Sequence, residues 1–221
     1  MKKDFSTLTK KQQTNIIVNI AIIVLFSIVL IGFIIAILIW GDPTNRLVAC
    51  IATLFCYILP VLVQLIFRFR FCPTLVSIYL AFVTIAAFCG SCLNLNYIVT
   101  FMDKIQHFSW GYLSCLIGIY ILCKTKEIDS LKTITIVLLF AGISLASSAV
   151  WEVIEFTSDN LFNQTMQGVP INGITPVNDA MFDIIVHSIG TIIFTIHFLL
   201  DRLLHKNLGI TYIINDFKNE Y

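Results

Sequence analysis

The residues able to do chemistry fall in three short blocks of an otherwise apolar chain. Asp103 and His107 lie four positions apart; Glu152, Glu155 and Asp159 follow spacings of three and four; Asp179, Asp183 and His187 repeat every four. On a helix each of these spacings keeps its members on one face, so each block predicts a polar stripe. Ionisable side chains are costly against lipid, and the stripes are therefore expected to turn toward a common interior cavity. Six carboxylates and two imidazoles would then meet one nearby cation, Lys104. Like charges at that density must share protons, bind a cation or stay wet. Mixed carboxylate and imidazole ligands suit Zn²⁺, Mn²⁺ or Fe²⁺, whereas an all-oxygen subset suits Mg²⁺ or Ca²⁺. The expected cofactor is thus a divalent metal, of the Zn, Mn or Mg kind. Its expected ligands are Asp103, His107, Glu155 and Asp183, with His187 as the floor one turn below Asp183. Glu152 and Asp179 are the candidate general bases.

Other polar residues have plainer explanations. Asp42 and Asp159 are expected to be solvated at helix ends, and His197 to serve helix packing. Trp110 and Trp151 are interface anchors first and site walls second. Gly111 and Gly190 allow close helix approach. The seven cysteines lie mostly in apolar runs, where each behaves as a small hydrophobe. An odd, scattered set argues against a disulfide framework, and Cys89-Gly-Ser-Cys92 has no second CxxC or neighbouring histidine to complete a zinc site.

The elements that must position these blocks are membrane helices. Of 221 residues, 58% are hydrophobic and 12% charged, with a mean hydropathy of +0.90. A soluble domain carries about 25% charge because its surface must be wetted, so the solvent here is lipid. A net charge of +1 gives no attraction to nucleic acid, and none is expected as a partner. A spanning helix needs about 20 apolar residues. Six such runs occur, at 15–40, 47–67, 74–95, 105–123, 133–156 and 180–203. The expected fold is all-α: one polytopic membrane bundle over residues 1–221, six transmembrane helices and both termini cytoplasmic. The orientation follows from Lys and Arg, twelve of which fall on the inner side and only Arg46 and Lys104 on the outer. The acidic blocks then lie at the extracytoplasmic face. The connection 157–178 is uncharged after Asp159 and is broken by Gly168, Pro170, Gly173 and Pro176; it is expected to be a loop or cap over the cavity mouth.

At these same residues the chain resembles the YjdF-like family of bacterial membrane proteins and, more distantly, the VanZ-like proteins linked to glycopeptide resistance. The blocks that carry the likeness are Asp103-Lys104-Ile105-Gln106-His107-Phe108 with Gly111, then Trp151-Glu152-Val153-Ile154-Glu155, then Gln167-Gly168 followed by Asp179-Ala180-Met181-Phe182-Asp183 and Gly190. The resemblance spans roughly residues 40 to 203. It implies a multi-pass protein of the bacterial plasma membrane whose polar positions are Asp103, His107, Glu152, Glu155, Asp179 and Asp183. His187 enters on helical spacing alone.

Three functions remain open from the sequence. One is a metal-assisted site acting on, or binding, a lipid-linked or cell-envelope molecule. Another is a proton- or cation-coupled transporter, for which the inner halves of the last three runs offer only Ser114, Thr195 and His197. The third is a non-catalytic assembly partner whose polar cluster specifies packing. A serine nucleophile elbow, an HExxH pair and a phosphate-binding glycine loop are all missing from the sequence.

Overall fold

A computed structural model describes residues 8–42, 46–68, 71–99, 101–167, 175–204 and 208–219. Its regular structure is helical: α1 (Lys10–Trp40), α2 (Leu47–Phe67), α3 (Pro73–Val83) running on into a π-helical segment (Thr84–Cys92), a single turn α4 (Leu95–Ile98), α5 (Met102–Lys124), α6 (Thr133–Phe162), α7 (Pro176–Leu204) and α8 (Ile210–Asn219). Six of these helical stretches, α1, α2, α3 with its π segment, α5, α6 and α7, are long and apolar enough to cross a membrane. Their large exposed side chains are those lipid would cover, such as Ile20, Ile28 and Leu38 on α1 and Leu138, Val150 and Val153 on α6.

The chain divides into two compact units, residues 1–102 and 103–220. In the first, α1 starts at a reciprocal cap in which Thr9 and Gln12 each satisfy the other's backbone. Pro73 opens α3 at a position where a missing N–H costs nothing. The core of this unit is Leu30, Tyr57, Leu80 and Val83 with Cys50 and Cys92. Tyr57 stacks on Phe26 with ring centroids 5.0 Å apart. Its few buried polar groups are paired: Tyr57 Oη with Thr84 Oγ1 at 2.8 Å, Asn19 with the Pro73 carbonyl at 2.9 Å, and Cys92 Sγ with Thr53 Oγ1 at 3.2 Å. Asp42 accepts from the backbone N–H groups of Arg46 and Leu47, and so supports the start of α2.

In the second unit α5 packs closely on both α6 and α7. A Cβ at Gly111 would collide with the His187 carbonyl, one at Gly190 with the Phe108 carbonyl, and one at Gly118 would lie 2.6 Å from Phe140 Cα. Backbones this near one another require glycine at the crossing. Several helices reach beyond the spans expected from the sequence: α1 begins at Lys10 rather than 15 and α5 at Met102 rather than 105. α6 continues six residues past 156, to Phe162, where Asn163 turns left-handed. α7 begins at Pro176, with the Thr175 hydroxyl accepting from Asn178 N. The expected outer connection is shorter as a result; Asp159 folds its start by accepting from Met166 N and Gln167 N. Gly168, Pro170 and Gly173 lie outside the described residues.

The amphipathic α8 is not among the helices expected from the sequence. The Asp201 carboxylate near the end of α7 holds its start, accepting from the backbone N–H groups of Leu208, Ile210 and Thr211 and from the Thr211 hydroxyl. Ile210 and Phe217 bury its apolar face. A cavity of about 200 Å³ lies there, lined by Phe198, Asp201, Ile210 and Lys218 rather than by any member of the three acidic blocks.

Candidate metal centre

The first turns of α5 and α7 and the last turns of α6 bring the three blocks together. Heptad-like spacing does this directly: the buried face of α6 carries Ser144, Ser148, Glu152 and Glu155, and that of α7 carries Asp183, His187 and Thr191. With α5 contributing Asp103, Lys104 and His107, an acidic cluster forms inside the second unit.

His107 is at its centre and is buried. Its Nε2 lies 3.6 Å from Asp103 Oδ1 and 3.8 Å from Asp183 Oδ1, and its Nδ1 lies 3.9 Å from Glu152 Oε1. These separations are too long for hydrogen bonds. They are close to the ~3.4 Å edge that two ligands make when a tetrahedral ion holds each at about 2.1 Å. Two sets of donor atoms, Asp103/His107/Asp183 and His107/Glu152/Glu155, have all members within 4.8 Å of one another.

The two sets differ in how their charge is met. The ammonium of Lys104 reaches three aspartates at once: Asp179 at 2.6 Å, Asp183 at 2.7 Å and Asp103 at 3.0 Å. Its approach to Asp183 Oδ1 is an ion pair without hydrogen-bond alignment. On the other side, both carboxylate oxygens of Glu152 are buried without a hydrogen-bond partner. Glu155, also buried, accepts one bond, from the Trp151 indole N–H at 2.7 Å. A buried, unpartnered carboxylate is expensive, and such a group is retained where something fills the gap.

Of the residues expected from sequence, Asp103, His107, Glu152, Glu155, Asp179 and Asp183 gather in this cluster. His187 lies one helical turn below Asp183 and belongs to neither donor set. Its Nε2 faces the Ser144 carbonyl at 2.9 Å and the Ser144 hydroxyl at 3.0 Å, while its Nδ1 is buried without a hydrogen-bond partner. There it joins a network that the sequence reading left out: Ser144 Oγ also meets Ser114 Oγ at 2.7 Å and Thr191 Oγ1 at 2.8 Å, and the Gly111 carbonyl accepts from both Ser144 and Thr191. The signal was available, since Ser144 and Ser148 extend the Glu152 stripe at intervals of four, and Thr191 extends that of Asp183 and His187. Below this layer the rings of Phe140, Phe194 and Phe198 pack edge to face, with centroids 5.3 Å apart. His197 binds Tyr112 Oη through Nδ1 at 2.5 Å and faces the Leu208 carbonyl through Nε2.

Six apolar spans and a buried cluster of histidine and carboxylates define a multi-pass helical membrane protein with a polar interior site. The chain belongs to the family of predicted membrane proteins designated DUF2238, whose model matches residues 21–203. That match takes in Asp103, His107, Glu152, Glu155, Asp179 and Asp183. No curated protein and no solved structure matches the chain.

Proposed function

We propose that this protein holds a divalent cation of the zinc, manganese or magnesium kind in the α5–α6–α7 cluster, and uses it on a lipid-linked or cell-envelope molecule at the extracytoplasmic face of a bacterial plasma membrane. The observation that carries the reading is Glu152, a buried carboxylate with no hydrogen-bond partner, set with Glu155 and the His107 ring inside one 4.8 Å group of donors. The Lys distribution supports the outward orientation, and the VanZ-like resemblance supports an envelope substrate.

The bound ion would act as a Lewis acid that polarises a substrate oxygen or activates water. Asp179, whose side chain is 20% exposed beside Lys104, would take a proton at the mouth. His187, Ser144 and Thr191 form the floor and fix α6 against α7.

The test is metal content. Protein purified in detergent and dialysed against metal-free buffer is expected to retain a divalent ion and to lose thermal stability on chelation. His107→Ala is expected to abolish both effects. Wild-type protein without ion, and with no stabilisation by added Zn²⁺ or Mn²⁺, would contradict the proposal.

A transport reading draws on one observation, the column of Ser114, Ser144, His187 and Thr191 beneath the cluster. The Phe140, Phe194 and Phe198 rings lie across its inner end. Proteoliposome flux that depends on Asp183 under an imposed ion gradient would favour transport over surface chemistry.

A further inference from the structure

The acidic cluster is divided by the His107 ring into an aspartate half and a glutamate half, and the two halves are neutralised differently. On the aspartate side, the Lys104 ammonium lies 2.6–3.0 Å from three carboxylates, hydrogen-bonded to Asp103 and Asp179 and ion-paired with Asp183. On the glutamate side, Glu152 and Glu155 are 8% and 4% exposed, and both oxygens of Glu152 lack a partner.

Building on the metal-binding reading, we propose that Lys104 is the resident cation of the aspartate half, so that the protein holds one divalent ion, on the glutamate half, bound by His107 Nδ1, Glu152 and Glu155.

Charge placement favours this over an ion between Asp103 and Asp183. With the ion on the glutamate side, its two positive charges cancel two buried carboxylates. The surplus negative charge then rests on the aspartates, where the side chains of Asp103 and Asp179 are 33% and 20% exposed and reach water. With the ion on the aspartate side, it would share Asp183 Oδ1 with the ammonium, and like charges would face each other across one oxygen. Glu152 and Glu155 would then have no counter-charge and would be held by protons alone, with both oxygens of Glu152 still unpaired, the costlier arrangement.

The imidazole agrees with the same placement. A neutral ring has one lone pair and one N–H. With the lone pair of Nδ1 on the ion, the N–H lies on Nε2, on the side of Asp103 and Asp183, whose oxygens stand 3.6 and 3.8 Å away and would close in to accept it. A metal-bound histidine commonly donates its other N–H to a carboxylate, which fixes the ring and raises its basicity. The aspartate half then has two tasks, holding Lys104 and orienting His107.

The proposal is tested by counting ions in purified full-length protein equilibrated with Mn²⁺ and then dialysed. Wild type is expected to hold one ion per chain. Lys104→Met removes the resident ammonium and is expected to hold two, the second among Asp103, Asp179 and Asp183; Lys104→Arg keeps a cation there and is expected to stay at one. Glu152→Gln should lose the ion, whereas Asp103→Asn should keep it with affinity weakened about 10–100-fold, as for an outer-shell partner.

Two ions in wild type, one ion in a folded Lys104→Met, or an ion retained in Glu152→Gln would each overturn the assignment while leaving metal binding itself intact. No ion in wild type would remove the metal reading and this one together. Should Lys104→Met fail to fold, the pair Glu152→Gln and Asp179→Asn decides: ion lost in the first and kept in the second is expected, and the reverse is fatal.

Discussion

The interiors of the two units solve the same problem in opposite ways. Among the described residues of the first unit the buried polar groups are few and paired: the Tyr57 hydroxyl with Thr84, the Asn19 amide with Pro73, the Cys92 thiol with Thr53. In residues 103–220 a stripe of polar and charged side chains runs along α6 from Ser144 to Glu155, and its acidic end includes oxygens with no partner. A paired polar group inside a membrane helix bundle is explained by packing. An orphaned one is not, since it carries the desolvation cost with no return in structure. That difference marks the second unit as the one with a site to fill.

Substitutions in each interior test the contrast. The largest effect is expected at Glu152 and His107: Glu152→Gln or His107→Ala should weaken divalent-ion affinity by more than about 100-fold, measured by titration calorimetry, because each removes an inner ligand rather than an outer partner. Next is the helix crossing. Gly111→Val and Gly190→Val force a side chain into the facing backbone and are expected to cost about 1–3 kcal/mol in thermal or denaturant unfolding. Gly142, which a Cβ would leave in open space, gives the control: Gly142→Ala should stabilise by about 0.5–1 kcal/mol through helix propensity.

Two further substitutions separate the two interiors directly. Ser144→Ala strips a shared partner from Ser114, His187 and Thr191 and should cost about 1–3 kcal/mol. In the first unit Tyr57→Phe leaves Thr84 Oγ1 still bonded to the Leu80 carbonyl, so about 1 kcal/mol or less is expected. Equal losses at the two positions would dissolve the distinction.

What was legible in the sequence follows from the lengths and charges that a bilayer imposes. Six apolar runs could be read because a span must be about 20 residues long and nearly free of charge. The polar blocks could be read because intervals of three and four survive on any helix. The ends could not: residues Thr157 to Phe162 extend α6 through sequence that reads as a loop, held by local bonds such as Thr157 Oγ1 to the Val153 carbonyl. α8 was invisible because it is too short and too polar to span, and its start depends on Asp201, several residues upstream. The π register of Thr84–Cys92 leaves no mark in hydropathy. Lys104 was legible as the nearby cation, yet its grip on three aspartates depends on α7 lying beside α5, which the sequence does not state. Trp151 looks in the sequence like an interface anchor first, whereas its indole N–H binds Glu155.

The central claim is that the orphaned carboxylate of Glu152 marks a metal site. Crystals of the full chain grown with Mn²⁺ and measured at an anomalous wavelength test it most directly. One anomalous peak within about 2.0–2.3 Å of His107 Nδ1 and of an oxygen of both Glu152 and Glu155 is the result predicted. No peak in the α5–α6–α7 cluster, with Glu152 instead hydrogen-bonded to protein or water alone, would contradict it.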